Sequence, residues 1–272
     1  MQKQIYSTLN NDVEMPLLGL GVYDMYNAEA EQAVGDALEI GYRLIDTAAM
    51  YKNEREVGRA IQASRVPRKD IFLTTKVANT DQGYDETLRA FDASMKKLDC
   101  GYIDLYLVHW PIRQTRKDTW RALERLYRQQ LVRCIGVSNY LIPFLDELQS
   151  YGQIVPVVNQ VEFSPYLFLQ DLLRLCVERG IQLQAYSPLA RGQRMSDPRL
   201  VALARQHQKT PAQIMLRWIL QHGVSAIPKS VKRERLRENF DVFDFELSAA
   251  DMQLMDGFHE NFRVVDDPMS MW

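Results

Sequence analysis

The chain has 272 residues, of which 46% are hydrophobic and 25% charged, an ordinary globular composition that excludes disorder and allows one sizeable core. A formal net charge of -2 leaves no electrostatic footprint for nucleic acid, and no apolar run is long enough to cross a bilayer. The three cysteines, Cys100, Cys134 and Cys176, are scattered through apolar segments. Free buried thiols, and so a reducing, cytoplasmic setting, are the expectation, with no leader peptide and no zinc site.

Taken in chain order, Ile5 to Thr8 and Val13 to Met15, joined by Asn10-Asn11-Asp12, read as a small hairpin. Strand-like runs follow at Met15–Leu20, Arg43–Asp46, Ile71–Thr75, Ile103–Val108, Leu131–Val137, Val155–Val161, Ile181–Ala185 and Ser225–Ile227. They are rich in Val, Ile and Leu with little polar alternation, the pattern of parallel strands covered on both faces. Between them lie helical stripes: Ala30, Ala33, Val34, Ala37 and Leu38; then Leu88, Phe91, Met95 and Leu98; then Leu169, Leu172, Leu173, Cys176 and Val177. Eight strand–helix units with no linker or change of composition predict an α/β fold. At this length the units close into a (β/α)8 barrel of the TIM type, one domain over residues 1–272.

Gly19-Leu20-Gly21 begins like a dinucleotide fingerprint, but Asp24 stands where the third glycine belongs, so a Rossmann reading is rejected. In a parallel barrel the chemistry gathers where the carboxyl ends of the strands converge. Three consecutive strands end on Asp46, Lys76 and His109, and Tyr51 lies in the loop between the first two. Singly, each has a bland explanation: a helix cap, a solvated lysine, a core histidine. Their shared placement argues for a site.

The chemistry of that group is proton transfer. A phenol titrates near about 10, and a nearby ammonium is expected to lower that value. Asp46 would keep Lys76 charged and oriented, and His109 could donate a hydrogen bond to a substrate oxygen. Such a set suits carbonyl reduction, in which charge builds on oxygen and must be protonated.

Six stretches carry a resemblance to a known family: Gly41-Tyr-Arg-Leu-Ile-Asp-Thr-Ala-Ala-Met-Tyr51, Val108-His-Trp-Pro111, Gly136-Val-Ser-Asn-Tyr140, Val158-Asn-Gln-Val-Glu162, Ala185-Tyr-Ser-Pro-Leu189 and Ile227-Pro-Lys-Ser-Val231. In this order the chain resembles the aldo-keto reductases. It is most similar to their compact microbial branch, with the 2,5-diketo-gluconate reductases and the trypanosomal prostaglandin F synthase. The resemblance implies a catalytic tetrad at Asp46, Tyr51, Lys76 and His109 and a nicotinamide cofactor.

By the same resemblance Gly21 contacts the cofactor, Ser138, Asn139 and Gln160 hold the carboxamide, Tyr186 stacks on the ring, and Ser187 and Leu189 follow the pyrophosphate. Lys229, Ser230, Val231, Arg235, Glu238 and Asn239 match the adenosine-phosphate site. A guanidinium and an ammonium near a helix start suit a 2′-phosphate, so the expected cofactor is NADPH (NADP+). Tyr23, Trp110 and Ala78 match substrate walls, with Ala78 where relatives often carry tryptophan. The tail after Phe262 is short, and Trp272 either folds over the mouth or frays. The expected protein is a monomeric reductase of small carbonyl compounds, with no nucleic-acid or membrane partner. The rivals are an NADPH-binding regulatory or redox-sensing module, and a lyase or isomerase using Lys76 as a Schiff base.

Overall fold

The computed structural model describes residues 4–272. Strands β1 (Tyr6–Thr8) and β2 (Glu14–Pro16) form an antiparallel hairpin in which Ser7 faces Met15. Eight further strands run parallel: β3 (Leu20–Gly21), β4 (Leu44–Asp46), β5 (Phe72–Val77), β6 (Ile103–Val108), β7 (Val132–Ser138), β8 (Val158–Glu162), β9 (Gln182–Tyr186) and β10 (Ser225–Ala226). Each pairs with its neighbour in sequence order.

The circle closes between its first and last members. Leu18 bridges Ala226 in parallel, Gly19 N donates to Ala226 O at 2.9 Å, and Ala226 N donates to Leu17 O at 2.7 Å. This seam accounts for the two glycines. A Cβ on Gly19 would lie 2.4 Å from Leu44 Cγ, and one on Gly21 would lie 2.8 Å from Ile227 O. Gly-x-Gly here is a packing signature and not a phosphate loop. The seam also corrects the expected first strand: Met15 belongs to the hairpin, and the barrel begins only after Pro16, with the ladder proper at Leu20.

Helices α1 (Asn27–Ile40), α2 (Glu54–Ala63), α3 (Tyr84–Leu98), α4 (Arg116–Arg128), α5 (Ile142–Tyr151), α6 (Gln170–Glu178), α7 (Pro198–Gln206), α8 (Pro211–Gln221) and α9 (Arg233–Phe240) follow the strands, two of them after β9; α10 (Ala249–Asp256) comes last. Proline at the first turn and a Thr210/Gln213 capping box start α8, and a Ser248/Asp251 box starts α10. The α1 stripe is buried as expected, and Phe91, Leu98, Leu172 and Cys176 are too, whereas Val177 is 70% exposed and outside its stripe. Of the cysteines, Cys134 and Cys176 are buried and Cys100 is half-buried.

Burial is organised in two layers. An outer annulus packs helices on strands. An inner cluster of Leu44, Phe72, Leu105, Leu107, Cys134 and Val158 fills the barrel, joined by Leu9 and Met15 from the hairpin. Asn10 and Asn11 tie that hairpin to Pro156 O and Arg133 O, beside the starts of β8 and β7. One end of the barrel is therefore plugged, and chemistry is left to the other.

Candidate active site

At the carboxyl end of the strands lies a cavity of about 1100 Å³. The structure brings Asp46, Tyr51 and His109 to its wall. Lys76 stands behind them, fully buried. Strand register does this: Asp46 ends β4, Lys76 is the penultimate residue of β5, and His109 follows β6. Tyr51 ends a 3-10 turn (Ala49–Tyr51).

The ammonium of Lys76 uses all three donors. It donates to Asp46 Oδ1 at 2.5 Å, to Thr47 O at 3.0 Å and to Tyr51 Oη at 3.4 Å. The second carboxylate oxygen of Asp46 accepts from Gln160 Nε2 at 2.7 Å, and Gln160 Nε2 also donates to Gln184 Oε1 at 2.7 Å. Gln184 in turn donates to Ser225 Oγ at 3.1 Å, so a polar chain crosses the barrel interior. Tyr51 Oη accepts from Lys76, and among the described residues its own proton has no acceptor.

Burial dominates the electrostatics. It pushes Asp46 up and Lys76 down, each opposed by the charge of the other. It holds Tyr51 well above the usual phenol range, reinforced by Asp46 and Tyr23. Burial, the largest cause, reverses the expected lowering by Lys76. The consequence is a phenol that stays protonated. Burial, and then the Lys76 charge, holds His109 well below the usual histidine range, so it is neutral at pH 7. His109 Nδ1 is buried without a hydrogen-bond partner among the described residues.

A pH dependence of stability follows. In the unfolded chain His109 takes up a proton near pH 6.5, whereas the folded site resists it, so the unfolded state binds more protons below that pH. Stability is expected to fall as pH drops from 7 to 5, with His109 contributing a slope approaching about 1.4 kcal/mol per pH unit. Urea unfolding of His109→Gln over that range checks this; an unchanged slope would refute it.

Most of the predicted cofactor positions line the same cavity: Gly21, Ser138, Asn139, Gln160, Tyr186, Ser187, Leu189, Lys229, Ser230, Arg235, Glu238 and Asn239. Val231 does not; it packs half-buried against the outer core. Tyr186 Oη donates to Asn139 Oδ1 at 2.7 Å, Asn139 Nδ2 donates to His109 O at 2.9 Å, and Ser138 Oγ donates to Gln160 O at 2.9 Å. Asn139 and Ser187 sit at φ +66° and +47°, a left-handed backbone that costs energy and collects at functional loops.

On α9, Arg233 is committed to Asp36 and Glu39 of α1. Arg235 and Lys229 are exposed at the cavity and form no ion pair among the described residues. Glu238 accepts from Thr210 Oγ1 at 2.7 Å, which joins α9 to the start of α8.

Tyr23 and Trp110 are walls as expected, Tyr23 with its ring 5.1 Å from that of Tyr51. Ala78 is buried off the cavity, and Asn79 takes its place in the lining. Sequence reasoning missed Met50, Arg191, Val265, Asp266 and Met271, all of which line the cavity. It also missed Asn53, fully buried, which donates to Val22 O and Met25 O and accepts from Thr47 Oγ1, fixing the first two loops together. Asn53 sits two residues beyond Tyr51 and directly before α2; a polar residue between site and helix was its only signal.

A closed barrel with a tyrosine, a buried lysine–aspartate pair and a neutral histidine at one mouth defines an oxidoreductase of the carbonyl-reducing kind. Residues 18–260 match the model of the aldo/keto reductase family. The chain is 51% identical to the glyoxal reductase of Bacillus subtilis (strain 168), over 96% of this chain and 95% of that one. It is 46% identical to the 9,11-endoperoxide prostaglandin H2 reductase of Trypanosoma cruzi (strain CL Brener), over 96% of this chain and 94% of that one. A crystal structure of a point mutant of Gox0644 in complex with NADPH superposes with a TM-score of 0.94 at 39% identity, covering 99% of each chain. The chain belongs to the aldo/keto reductase family and is an oxidoreductase.

Proposed function

We propose that this protein reduces small aldehydes and ketones, α-oxo aldehydes foremost, with Tyr51 giving the proton to the carbonyl oxygen. The observation that carries the reading is the Tyr51 hydroxyl: it accepts from Lys76, keeps its own proton unshared, and lines the cavity beside His109. Lys76 and Asp46 act from behind. The ammonium stabilises the phenolate as the proton leaves, and the carboxylate keeps the ammonium charged. Neutral His109 orients the substrate oxygen. The α-oxo aldehyde preference is supported by the 51% identity to a glyoxal reductase.

The residues present fit the dinucleotide. When bound, NADPH supplies the hydride. Tyr186 offers an aromatic face beside Asn139, and Ser138, Asn139 and Gln160 offer amide and hydroxyl groups for a carboxamide. Gln160 would have to share donors now given to Asp46 and Gln184. Arg235 and Lys229, without an ion pair among the described residues, fit a phosphate monoester at the α9 end of the cavity. The chain works as a single-domain monomer in the cytoplasm. No helix among the described residues is long and apolar enough to cross a membrane.

The test is NADPH oxidation with methylglyoxal, nitrobenzaldehyde, phenanthrenequinone and a diketo-sugar, run in parallel with NADH. Turnover is expected with NADPH well above NADH. Arg235→Ala is expected to raise the KM for NADPH about 10- to 100-fold, the loss of one charged hydrogen bond, and to leave NADH almost unchanged. Tight NADPH binding with no turnover on any substrate would transfer the reading to a cofactor-binding regulatory module. An unchanged preference in Arg235→Ala would remove that residue from the phosphate site.

A further inference from the structure

Beneath the cavity the barrel interior carries amides where aliphatic side chains would be expected. Gln160 on β8, Gln184 on β9 and Ser225 on β10 are register partners on three adjacent strands, so their side chains form one rung on one face of the sheet. All three are buried. Two residues before Gln160, Val158 belongs to the apolar cluster that fills the barrel. Two residues after Gln184 and Ser225, Tyr186 and Ile227 line the cavity. The rung thus separates the apolar plug from the site. Two amides in such a layer are costly unless their polar atoms find partners.

The hydrogen bonds of the rung run in one direction, and Asp46 sets it. A carboxylate only accepts, so Gln160 turns its NH2 toward Asp46 Oδ2, at 2.7 Å. The second hydrogen of that NH2 goes to Gln184 Oε1, also at 2.7 Å. Gln184 then presents its own NH2 to Ser225 Oγ, which accepts at 3.1 Å. A flipped Gln160 would set its oxygen against the carboxylate and against Gln184 Oε1, so the rung holds one orientation. Both Gln160 donors are spent, and its Oε1 has no partner among the described residues. Gln160 is also the member of the rung that lines the cavity. Donation to a ligand would have to be shared with Asp46 or Gln184; acceptance would not.

We infer that Gln184, seated on Ser225, is a positioning residue that fixes Gln160 as a hydrogen-bond acceptor toward the cofactor, so that the site selects a nicotinamide carboxamide by its NH2 group. Gln184 and Ser225 act through Gln160, not by contact with the ligand. The inference rests on the reading that Gln160 faces the carboxamide. Without the Gln184 oxygen, the second Gln160 N–H is buried with no acceptor, a costly state. The amide then swings that donor toward the cavity, where any carbonyl satisfies it. An acetyl group in place of the carboxamide keeps the carbonyl and lacks the NH2. Discrimination between the two therefore reports which end of Gln160 is presented.

The experiment measures dissociation constants for NADP+ and its 3-acetylpyridine analogue by quenching of protein fluorescence, in the wild type, Gln184→Leu, Gln184→Glu and Ser225→Ala. The wild type is expected to bind NADP+ about tenfold more tightly than the analogue, the worth of one hydrogen bond whose acceptor is otherwise left dry. In Gln184→Leu that ratio falls below about threefold. Gln184→Glu keeps the wild-type ratio, because its carboxyl accepts from Gln160 whether or not it carries a proton. Ser225→Ala frees the far end of the rung and lowers the ratio by about two- to threefold; it removes one oxygen only, and so decides the matter should Gln184→Leu fail to fold. A merely structural role would weaken both ligands alike and leave the ratio untouched. A wild-type ratio in both Gln184→Leu and Ser225→Ala overturns the inference, and so does a ratio lost in Gln184→Glu. Failure of the underlying reading shows separately, as a wild type that binds the two dinucleotides equally.

Discussion

Tyr51→Phe lowers kcat for every carbonyl substrate by about a hundred- to ten-thousand-fold, while NADPH affinity and Tm remain at wild-type values. The size follows from the loss of a positioned general acid. The selectivity follows from geometry: among the described residues the Tyr51 hydroxyl holds no structural bond except the one it accepts from Lys76 at 3.4 Å, so removing it leaves Lys76 tied to Asp46 and Thr47 O. The ring remains to pack against Tyr23 and His109. A pH profile adds a second arm. An acid whose pKa is raised keeps its proton to higher pH, and burial, then Asp46 and Tyr23, raises that of Tyr51. Wild-type reduction is therefore expected to hold level from pH 6 to 9. The checks are steady-state kinetics and cofactor fluorescence titration. Wild-type turnover in the variant would remove Tyr51 from the chemistry.

The same burial explains what was legible in the sequence and what was not. Continuous Val, Ile and Leu runs exist because both faces of each strand are covered, and Ile103–Val108 appears with the bounds the pattern predicts. Where the pattern failed, backbone chemistry intervened. The run expected from Val155 contains Pro156, which has no N–H for a ladder, and β8 starts at Val158. At the barrel seam, bridging at Leu18 replaces a long strand, and no hydrophobic period reports a closure between residues some two hundred positions apart. Asp46, Lys76 and His109 were readable because position at a strand end fixes the face on which a side chain emerges. The cofactor positions came from resemblance, and residues such as Ser138 and Asn139 would otherwise have read as turn formers. Arg191, Val265 and Met271 were not readable at all. Loops and tail place them, through contacts as remote as Glu162 with Val264, and no local spacing encodes such a contact.

The buried pair gives the second large effect. Lys76→Met is expected to destabilise the protein by about 3–5 kcal/mol and lower Tm by on the order of 10 °C, besides abolishing turnover. Little of that loss is the worth of the ion pair itself. Asp46 is 1% exposed, and without the ammonium its Oδ1 becomes a buried charge with only the Gln160 bond on the other oxygen. Two consequences separate this account from simple loss of packing. First, adding Asp46→Asn to Lys76→Met should recover a good part of the stability, because the uncompensated charge is gone. Second, the single variant should lose stability relative to the double variant as pH rises from 4 to 8, the His109 contribution being common to both. Burial already raises the Asp46 pKa, and Lys76 is the largest force opposing it. With Lys76 gone the folded carboxyl keeps its proton to higher pH than the unfolded one, near about 3.9, so the folded state binds more protons and stability falls with pH. Urea titrations of the single and double variants at three pH values decide it. A double variant no more stable than Lys76→Met, with no pH trend, would mean that the lysine stem fills space and the charge pairing does not hold the site.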